Sequence, residues 1–419
     1  MNKKLLKNFQ MVVIAGAIVS PLPAQAAATL IDAIKYGKFS GQLRYRFENV
    51  DQEAFAQEAD ASTLRTQLGY TTDNYLGFTA FLQVENVSDI GNDLYNSTAN
   101  GKTRFPVVAD PVGTELNQYW LSYETPYSTT LKYGRQGINL DNQRFIGTVN
   151  FRQNDQTFDS SSIINTSLPD TTLTYAHISR VNRINGANNP NTLLAVTRMN
   201  SDIFNATYKG FSFGTLTAYA YLLDFVNTPA PSHKDFGLRF DGAHRFGGRK
   251  VVYTAEYATQ SDYRDGASTN DADYLSLALG TDISGVQIKL NYELLGGDGT
   301  YGFQAPLGTL HAFDGWADRF LATPGDGIKD IFISAGKTIY GVNLFAAYHD
   351  FSSDNLDYDY GTEWDLSAAK KVNKYLTLKT EYASYDADRN TLNVTRNTGP
   401  RAIQTRNVNI LWLTADFQF

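Results

Sequence analysis

The segment KFSGQLRYRFE, from Lys38 to Glu48, alternates without a break. Phe39, Gly41, Leu43, Tyr45 and Phe47 fall on one parity, and Lys38, Ser40, Gln42, Arg44, Arg46 and Glu48 on the other. Successive side chains of a strand point to opposite faces, so the segment predicts a strand with one aromatic, apolar face and one charged face. A strand of a soluble sandwich reads the same way in isolation. Repetition decides between the two, because segments of about ten residues, the span of a membrane-crossing strand, recur to the end of the chain.

The recurring segments come in pairs joined by short turns. They are Leu64–Thr71 with Leu76–Val87, Leu116–Thr125 with Thr129–Gln136, Gln156–Asn165 with Thr171–Val181, and Asp202–Lys209 with Gly214–Val226. Asp235–Phe246 pairs with Lys250–Asp262, Tyr274–Ile283 with Val286–Leu295, Ile331–Ile339 with Val342–Phe351, and Gly361–Lys371 with Tyr375–Asp386. With Asn407–Phe419 and the opening segment, the set predicts an all-β fold, a transmembrane antiparallel up-and-down β-barrel of about 18 strands. The other connections are longer and polar: Asn49–Ser62, Ser88–Gly113, Gly137–Asn154, Asn182–Thr197, Gly296–Asp330 and Ala387–Arg406. Short turns at the periplasmic end and long loops outside are the asymmetry expected of such barrels.

The start of the chain fixes the expected compartment. Lys3, Lys4 and Lys7 precede an apolar run from Met11 to Val19, and Ala24-Gln25-Ala26 has the small-residue pattern of a cleavage site. Residues 1–26 therefore read as a secretory signal peptide, leaving 27–419 as a single barrel of a Gram-negative outer membrane. Removing those three lysines from 36 basic residues set against 43 acidic ones deepens the formal charge from −7 to −10. That balance argues against nucleic acid as a partner. There is no cysteine, hence no disulfide framework. No later stretch is apolar for the eighteen or so residues a membrane helix needs, which leaves a closed barrel as the spanning structure. The chain stops at Phe419, with Phe417, Ala415, Leu413 and Leu411 on its face. A terminal aromatic on an alternating strand is similar to the signal read by the barrel-assembly machinery, so that machinery is an expected partner, with outer-membrane lipid and lipopolysaccharide around the wall.

Strand parity places Arg44, Arg46, Arg65, Glu85, Arg239, Lys289, Lys379 and Glu381 on the inner wall. Both signs are present, so the wall alone does not declare a selectivity, which is set where a pore is narrowest. The candidate for that place is GRQGINLDNQRFIGTVNFRQNDQTFD, Gly134 to Asp159, where alternation fails between two strands. A connection of about twenty residues is long for a hairpin. We expect residues 137–154 to fold into the lumen, with Arg135, Asn142, Arg144, Arg152, Gln153 and Gln156 as constriction residues. Guanidinium groups there would suit a passing carboxylate, and they would equally suit Asp141, Asp155 or wall acids that pin the loop.

The stretch Tyr133–Asp159 resembles the corresponding segment of the alginate-export family of outer-membrane porins, and FQAPLGTLHAFDGWADRFLATP, Phe303–Pro324, is similar to another of that family's elements. The resemblance implies an 18-stranded barrel and a polar, arginine-containing path for hydrophilic solutes. Within residues 296–330, Leu310, Phe313, Trp316 and Phe320 recur at roughly helical spacing, which predicts a short amphipathic helix in a long external loop.

Other signals are set aside. Gly297–Gly302 matches G-x-G-x-x-G without a helix after it, the five histidines lack metal spacing, and Asp354, Asp357 and Asp359 read as solvated loop charge rather than a calcium site. No cofactor, metal or catalytic group is expected. The expected function is passive diffusion of hydrophilic solutes, anionic or sugar-like, through a porin-like channel; dedicated export of an acidic exopolysaccharide such as alginate is the alternative.

Overall fold

A computed structural model describes residues 27–398 and 402–419. The expected signal peptide, 1–26, lies outside them. The described chain opens with the short helix α1, Leu30–Lys35, and continues as β1 Lys38–Gln52, β2 Ala59–Thr71, β3 Phe78–Leu94, β4 Gly113–Thr125, β5 Thr129–Gln136 and β6 Thr157–Asn165. Next come β7 Thr171–Asn182, β8 Val196–Phe211, β9 Gly214–Leu223, β10 His233–Phe246, β11 Arg249–Asp262 and β12 Ala272–Ile283. The last six are β13 Val286–Leu295, β14 Ile328–Ile339, β15 Val342–Ser352, β16 Asp359–Lys371, β17 Leu376–Ala387 and β18 Val408–Gln418.

Every strand pairs antiparallel with its neighbours in the chain, and β18 returns to β1 with Gln42 opposite Gln418 and Gln52 opposite Val408. The result is a closed barrel of eighteen strands with no free edge. The short turns explain their residues. Gly247-Gly248, Ser284-Gly285 and Tyr340-Gly341 all have positive φ at both positions, the two-residue hairpin geometry whose twist matches the strands. On the outer face Leu279, Leu290, Ile331, Ile333 and Trp364 are exposed, while Arg44, Arg46, Glu48 and Arg65 on the opposite parity are buried.

Two expectations need correction. The connection expected over Asn49–Ser62 is only 53–58, because β1 runs to Gln52 and β2 starts at Ala59; β3 likewise runs on to Leu94. Beyond the apolar belt both faces of a strand are wet, so the ladder continues after hydrophobic alternation has stopped reporting it. The helix expected around Leu310–Phe320 is a single 3-10 turn, Leu310–Ala312. Asp314, Gly315 and Asp318 take positive φ (56°, 79° and 56°), which breaks the helical path and turns the backbone toward the wall.

Two connections pack against the inner wall. They are 137–156, between β5 and β6, and 296–327, between β13 and β14. Their apolar side chains meet inward-facing aromatic residues. Phe145 lies 5.2–6.3 Å from the rings of Tyr219, Tyr221, Tyr274 and Phe303. Phe320 packs on Phe351, Tyr360 and Tyr385. Phe145, Ile146, Phe303, Leu307 and Phe320 are all buried. Burying a large apolar side chain is worth roughly 1.5–3 kcal/mol, so these residues supply a driving force for holding both loops inside. The tyrosines keep their hydroxyls satisfied at the same time: Tyr219 donates to Glu256 at 2.9 Å and Tyr274 to Glu293 at 2.8 Å.

Candidate functional site

The two inserted loops meet. Ile146 and Leu307 form a parallel bridge, and the Gly147 amide donates to the Leu307 carbonyl at 2.9 Å. Thr309 N–H donates to the Gln143 carbonyl at 2.9 Å. Gln156 brackets both loops, its Nε2 donating to the carbonyls of Gly147 (2.9 Å) and Leu307 (3.0 Å). Backbone approach is tight at Gly308, where a Cβ would stand 2.1 Å from the Arg144 carbonyl oxygen, so a glycine is required there.

Two ionic clasps reinforce the contact. Arg144 is 1% exposed and stands 2.7 Å from both Glu293 on β13 and Asp314 of the second loop. Arg152 pairs with Glu48 on β1 at 3.1 Å and with Asp318 of the second loop at 2.9 Å. Each guanidinium thus ties the first loop to the second loop and to the wall. Burial disfavours the charge on Arg144, but Asp314 and Glu293 outweigh it and raise its pKa. The two loop aspartates differ. Burial pushes the Asp314 carboxyl up to about 7 against the pull of Arg144, with Glu293 and Asp330 adding to the rise. Burial opposes ionisation of Asp318 too, but His311 and Arg152 prevail and hold it below its ordinary value. His311 accompanies this second clasp, with Nδ1 at 2.9 Å from Asp318 and its ring stacked on Phe151.

The positive-φ elbow at Asp314–Gly315 aims backbone donors at the wall. Ala317 N–H donates to Glu363 at 2.7 Å and Trp316 N–H to Asp365 at 3.3 Å. A Cβ on Gly315 would fall 2.5 Å from the Glu363 carboxylate, so both its φ and its surroundings demand glycine.

The residues singled out in the sequence divide as follows. Arg144, Arg152, Gln153 and Gln156 are buried in the contact between the first loop, the second loop and the wall. Gln153 donates through Nε2 to Thr63 at 2.9 Å, and its amide donates to Asp110 at 2.8 Å. Asn142 is half-buried and caps its own turn, accepting from the Arg144 amide at 3.2 Å. Arg135 does not join them. It sits on the strand face of Tyr133, which is 75% exposed, and pairs with Asp159 at 2.7 Å beside the ring of Tyr119. Its parity within β5 turns it away from the lumen, which corrects its placement at a constriction. Of the two acids named as alternative partners, Asp155 takes Arg65 at 2.8 Å, and Asp141 accepts from Asn205 at 2.8 Å.

The wall set Arg44, Arg46, Arg65, Glu85, Arg239, Lys289, Lys379 and Glu381 lies on the inward parity, with charge distributed unevenly. Arg44 donates to the Asn150 carbonyl at 2.7 Å, with its one carboxylate neighbour, Asp416, at 3.9 Å. Arg46 donates to the Phe151 carbonyl and lies over the Phe151 ring at 4.3 Å. Arg46 Nε, Trp412 Nε1 and Thr414 Oγ1 are buried without a hydrogen-bond partner, and Thr414 stands directly opposite Arg46 in the ladder. Arg65 is shared by Asp155 and Glu85, Arg239 by Asp241 and Glu256, and Lys379 pairs with Glu381. Further round the wall acids gather: Glu293, Asp330, Glu363 and Asp365 on β13, β14 and β16, three to six strands from β1, are buried around Arg144 and His349. Strand parity also turns Glu293, Glu363 and Asp365 inward, whereas Asp330 and the inward tyrosines were not read from the sequence.

Among the described residues, no group of three or more His, Asp or Glu side chains is arranged to hold a metal ion. The loop acids considered for calcium are engaged elsewhere, Asp357 with Lys329 and Asp354 with the Gly297 amide.

A closed eighteen-stranded antiparallel barrel with two loops tied together inside it is the architecture of an outer-membrane porin channel. Solved structures agree. Pseudomonas aeruginosa OccD3 (OpdP) superimposes with a TM-score of 0.68 at 15% identity, over 92% of each chain. The outer membrane protein OpdK of the same organism gives 0.69 at 12%, over 92% of this chain and 99% of that one. Acinetobacter baumannii OccAB4 gives 0.66 at 12%, over 91% and 98%. The alginate-export family model matches residues 35–172, which include the Tyr133–Asp159 stretch; Phe303–Pro324 falls outside the matched span. The chain thus shares a matched segment with the alginate-export family and its fold with these outer-membrane proteins. None of the curated protein sequences matches it.

Proposed function

We propose that this chain is an outer-membrane channel of the alginate-export type through which small hydrophilic anions diffuse without chemical change. The observation that carries the reading is the Arg44–Arg46 strip. A guanidinium facing backbone carbonyls keeps its net charge, whereas one shared by two carboxylates does not. With the buried acids gathered on other strands, β13, β14 and β16, the strip on β1 makes a local positive field that draws anions. The solved structure of OpdK with vanillate is consistent with an organic carboxylate as the cargo class. In this reading Asn142, Arg144, Arg152, Gln153 and Gln156 shape the constriction by holding the loops, and the buried Arg44 and Arg46 act on the solute through their field rather than by contact. Residues 1–26 direct secretion and are removed, and the assembly machinery reads the terminal Phe419, whose amide and carbonyl both bond to Gly41 at 3.0 Å.

Reversal potentials in planar bilayers under a potassium chloride gradient test this. The wild type should prefer chloride, and Arg44→Ala/Arg46→Ala should lose that preference. A protein that inserts but carries no ionic current overturns the channel reading. Export of an acidic polysaccharide is the second reading, favoured by the family match over residues 35–172. It predicts that alginate oligomers block the current from the periplasmic side at lower concentration than small carboxylates do.

A further inference from the structure

The outer wall carries one feature that a uniform apolar belt does not explain. Near the short-turn end, across β15 to β18 and β1, outward-facing Ala368, Thr380 and Ala415 lie among larger neighbours. A groove of about 420 Å³ opens there, lined also by Leu378, Leu413 and Tyr45. The register makes it continuous: Ala368 is opposite Thr380, Thr380 opposite Leu413, and Ala415 opposite both Leu378 and Tyr45.

Its depth follows from the adjacent rungs. Phe417, two residues beyond Ala415, packs on Tyr375 at 5.7 Å and on the terminal Phe419 at 6.0 Å. Aromatic clusters of this kind mark the membrane–water boundary of a barrel. The groove therefore begins just inside the hydrocarbon at the periplasmic boundary. Lys370 lines it and is exposed. Lys337 stands on the outward face of β14, opposite Leu344, which is in turn opposite Ala368. Lys329 and Lys379 form ion pairs, but Lys337 and Lys370 have none among the described residues. An unpaired lysine on a lipid-facing wall extends its ammonium toward the boundary, where its natural counter-ion is a phosphate.

We propose that this groove binds an anionic phospholipid of the periplasmic leaflet, one acyl chain lying over Ala368, Thr380 and Ala415 and the phosphate between Lys370 and Lys337. The proposal rests on the barrel being membrane-embedded, but not on its conducting ions. Lipid charge selects the occupant: a net negative headgroup satisfies two lysines that a zwitterionic one leaves partly uncompensated.

Native mass spectrometry of the detergent-extracted barrel, titrated with phosphatidylglycerol or phosphatidylcholine of matched chains, reads the site directly. The expected result is preferential retention of phosphatidylglycerol, weakened about thirtyfold in Lys337→Gln/Lys370→Gln, the size expected of two interfacial lysines. Ala368→Phe, which fills the groove, should reduce retention of both lipids. Heat-modifiable gel mobility identifies folded barrels for all variants. Equal retention of the two lipids, or wild-type retention in the double lysine variant, overturns the proposal. So does a dimer that Ala368→Phe converts to monomer without loss of lipid, since the groove then seats a second copy. Loss of ionic current with lipid preference intact counts against the channel and not against this site.

Discussion

Replacing Arg144 with methionine should release the clasp between the two inserted loops. Methionine reproduces much of the arginine stem, so the change is chiefly the loss of one buried charge shared at 2.7 Å by Glu293 and Asp314. Removing one member of a buried ion pair costs about 3–5 kcal/mol, because the partner left behind is uncompensated. Here two carboxylates are left. Asp314, already pushed up to about 7, takes up a proton with little penalty, which favours the lower end of that range. A loss of about 3 kcal/mol raises the ratio of opened to closed loop contact by roughly two orders of magnitude. The amides of Gly147 and Thr309, which bond across the loop contact, should then exchange with deuterium about a hundredfold faster, while amides in β10 and β11 stay protected. Single-channel recordings should show a noisier current of larger mean amplitude. Glu293→Gln/Asp314→Asn added to Arg144→Met should recover most of the protection, because it removes the stranded charges. Exchange at Gly147 and Thr309 unchanged by Arg144→Met would refute the clasp. Faster exchange that the added pair of substitutions fails to restore would show that lost packing, not lost charge, is responsible.

Three further outcomes follow from the same geometry. Gly308→Ala places a Cβ 2.1 Å from the Arg144 carbonyl oxygen and should separate the loops, raising conductance and exposing 137–156 to protease, with no change in heat-modifiable barrel; wild-type current would count against tight loop apposition. Asp314 has a folded pKa near 7, above the ordinary carboxylate value near 3.9, so the closed contact binds more protons than the open one. Its contribution to closure is fully present below about pH 4 and declines as pH rises toward about 7, so noise should grow between pH 5 and pH 8, and Asp314→Asn should flatten the dependence. Deleting Phe419, or enlarging Gly41 to valine where a Cβ would meet the Phe419 ring at 2.3 Å, should lower the amount of folded barrel in outer-membrane fractions severalfold; an undiminished yield would remove the role given to this closing contact.

The barrel was legible because the membrane belt enforces a period of two on every strand, and Lys38–Glu48 carries that period in full. The turns were legible for a related reason: positive φ at two consecutive positions leaves few residue choices, and Gly247-Gly248 and Ser284-Gly285 make them. The lumen was harder to read. Tyrosine suits either face of a barrel strand, so Tyr219 and Tyr221 read as ordinary aromatic residues of a membrane wall. Yet β9 places Thr217, Tyr219, Tyr221 and Leu223 on its buried parity and Leu216, Ala218, Ala220 and Leu222 on the other. An inward face of two tyrosines and a leucine is unsuited to a water-filled channel at that level, and it signals that something apolar fills the lumen there. Phe145 and Phe303 are what fills it.

Charge was the least legible layer, for a reason particular to arginine. Spacing shows that Arg144 and Arg152 sit in a loop and Arg44 and Arg46 on a wall, and of the two a loop reads as the place to meet a solute. What matters is how many carboxylates each one faces, and those partners come from afar: Asp314 is 170 residues from Arg144 in sequence and Asp318 is 166 from Arg152. The loop arginines are each divided between two acids and act as fasteners, whereas Arg44 and Arg46 bond chiefly to main-chain carbonyls, with Asp416 at 3.9 Å from Arg44 as their carboxylate partner among the described residues. Removing charge at Arg44 and Arg46 should change which ions pass and, because both donate to main-chain carbonyls of residues 150–152, should also loosen that end of the first loop from β1. Removing it at Arg144 should open the contact between the two loops while leaving the Arg44–Arg46 strip charged.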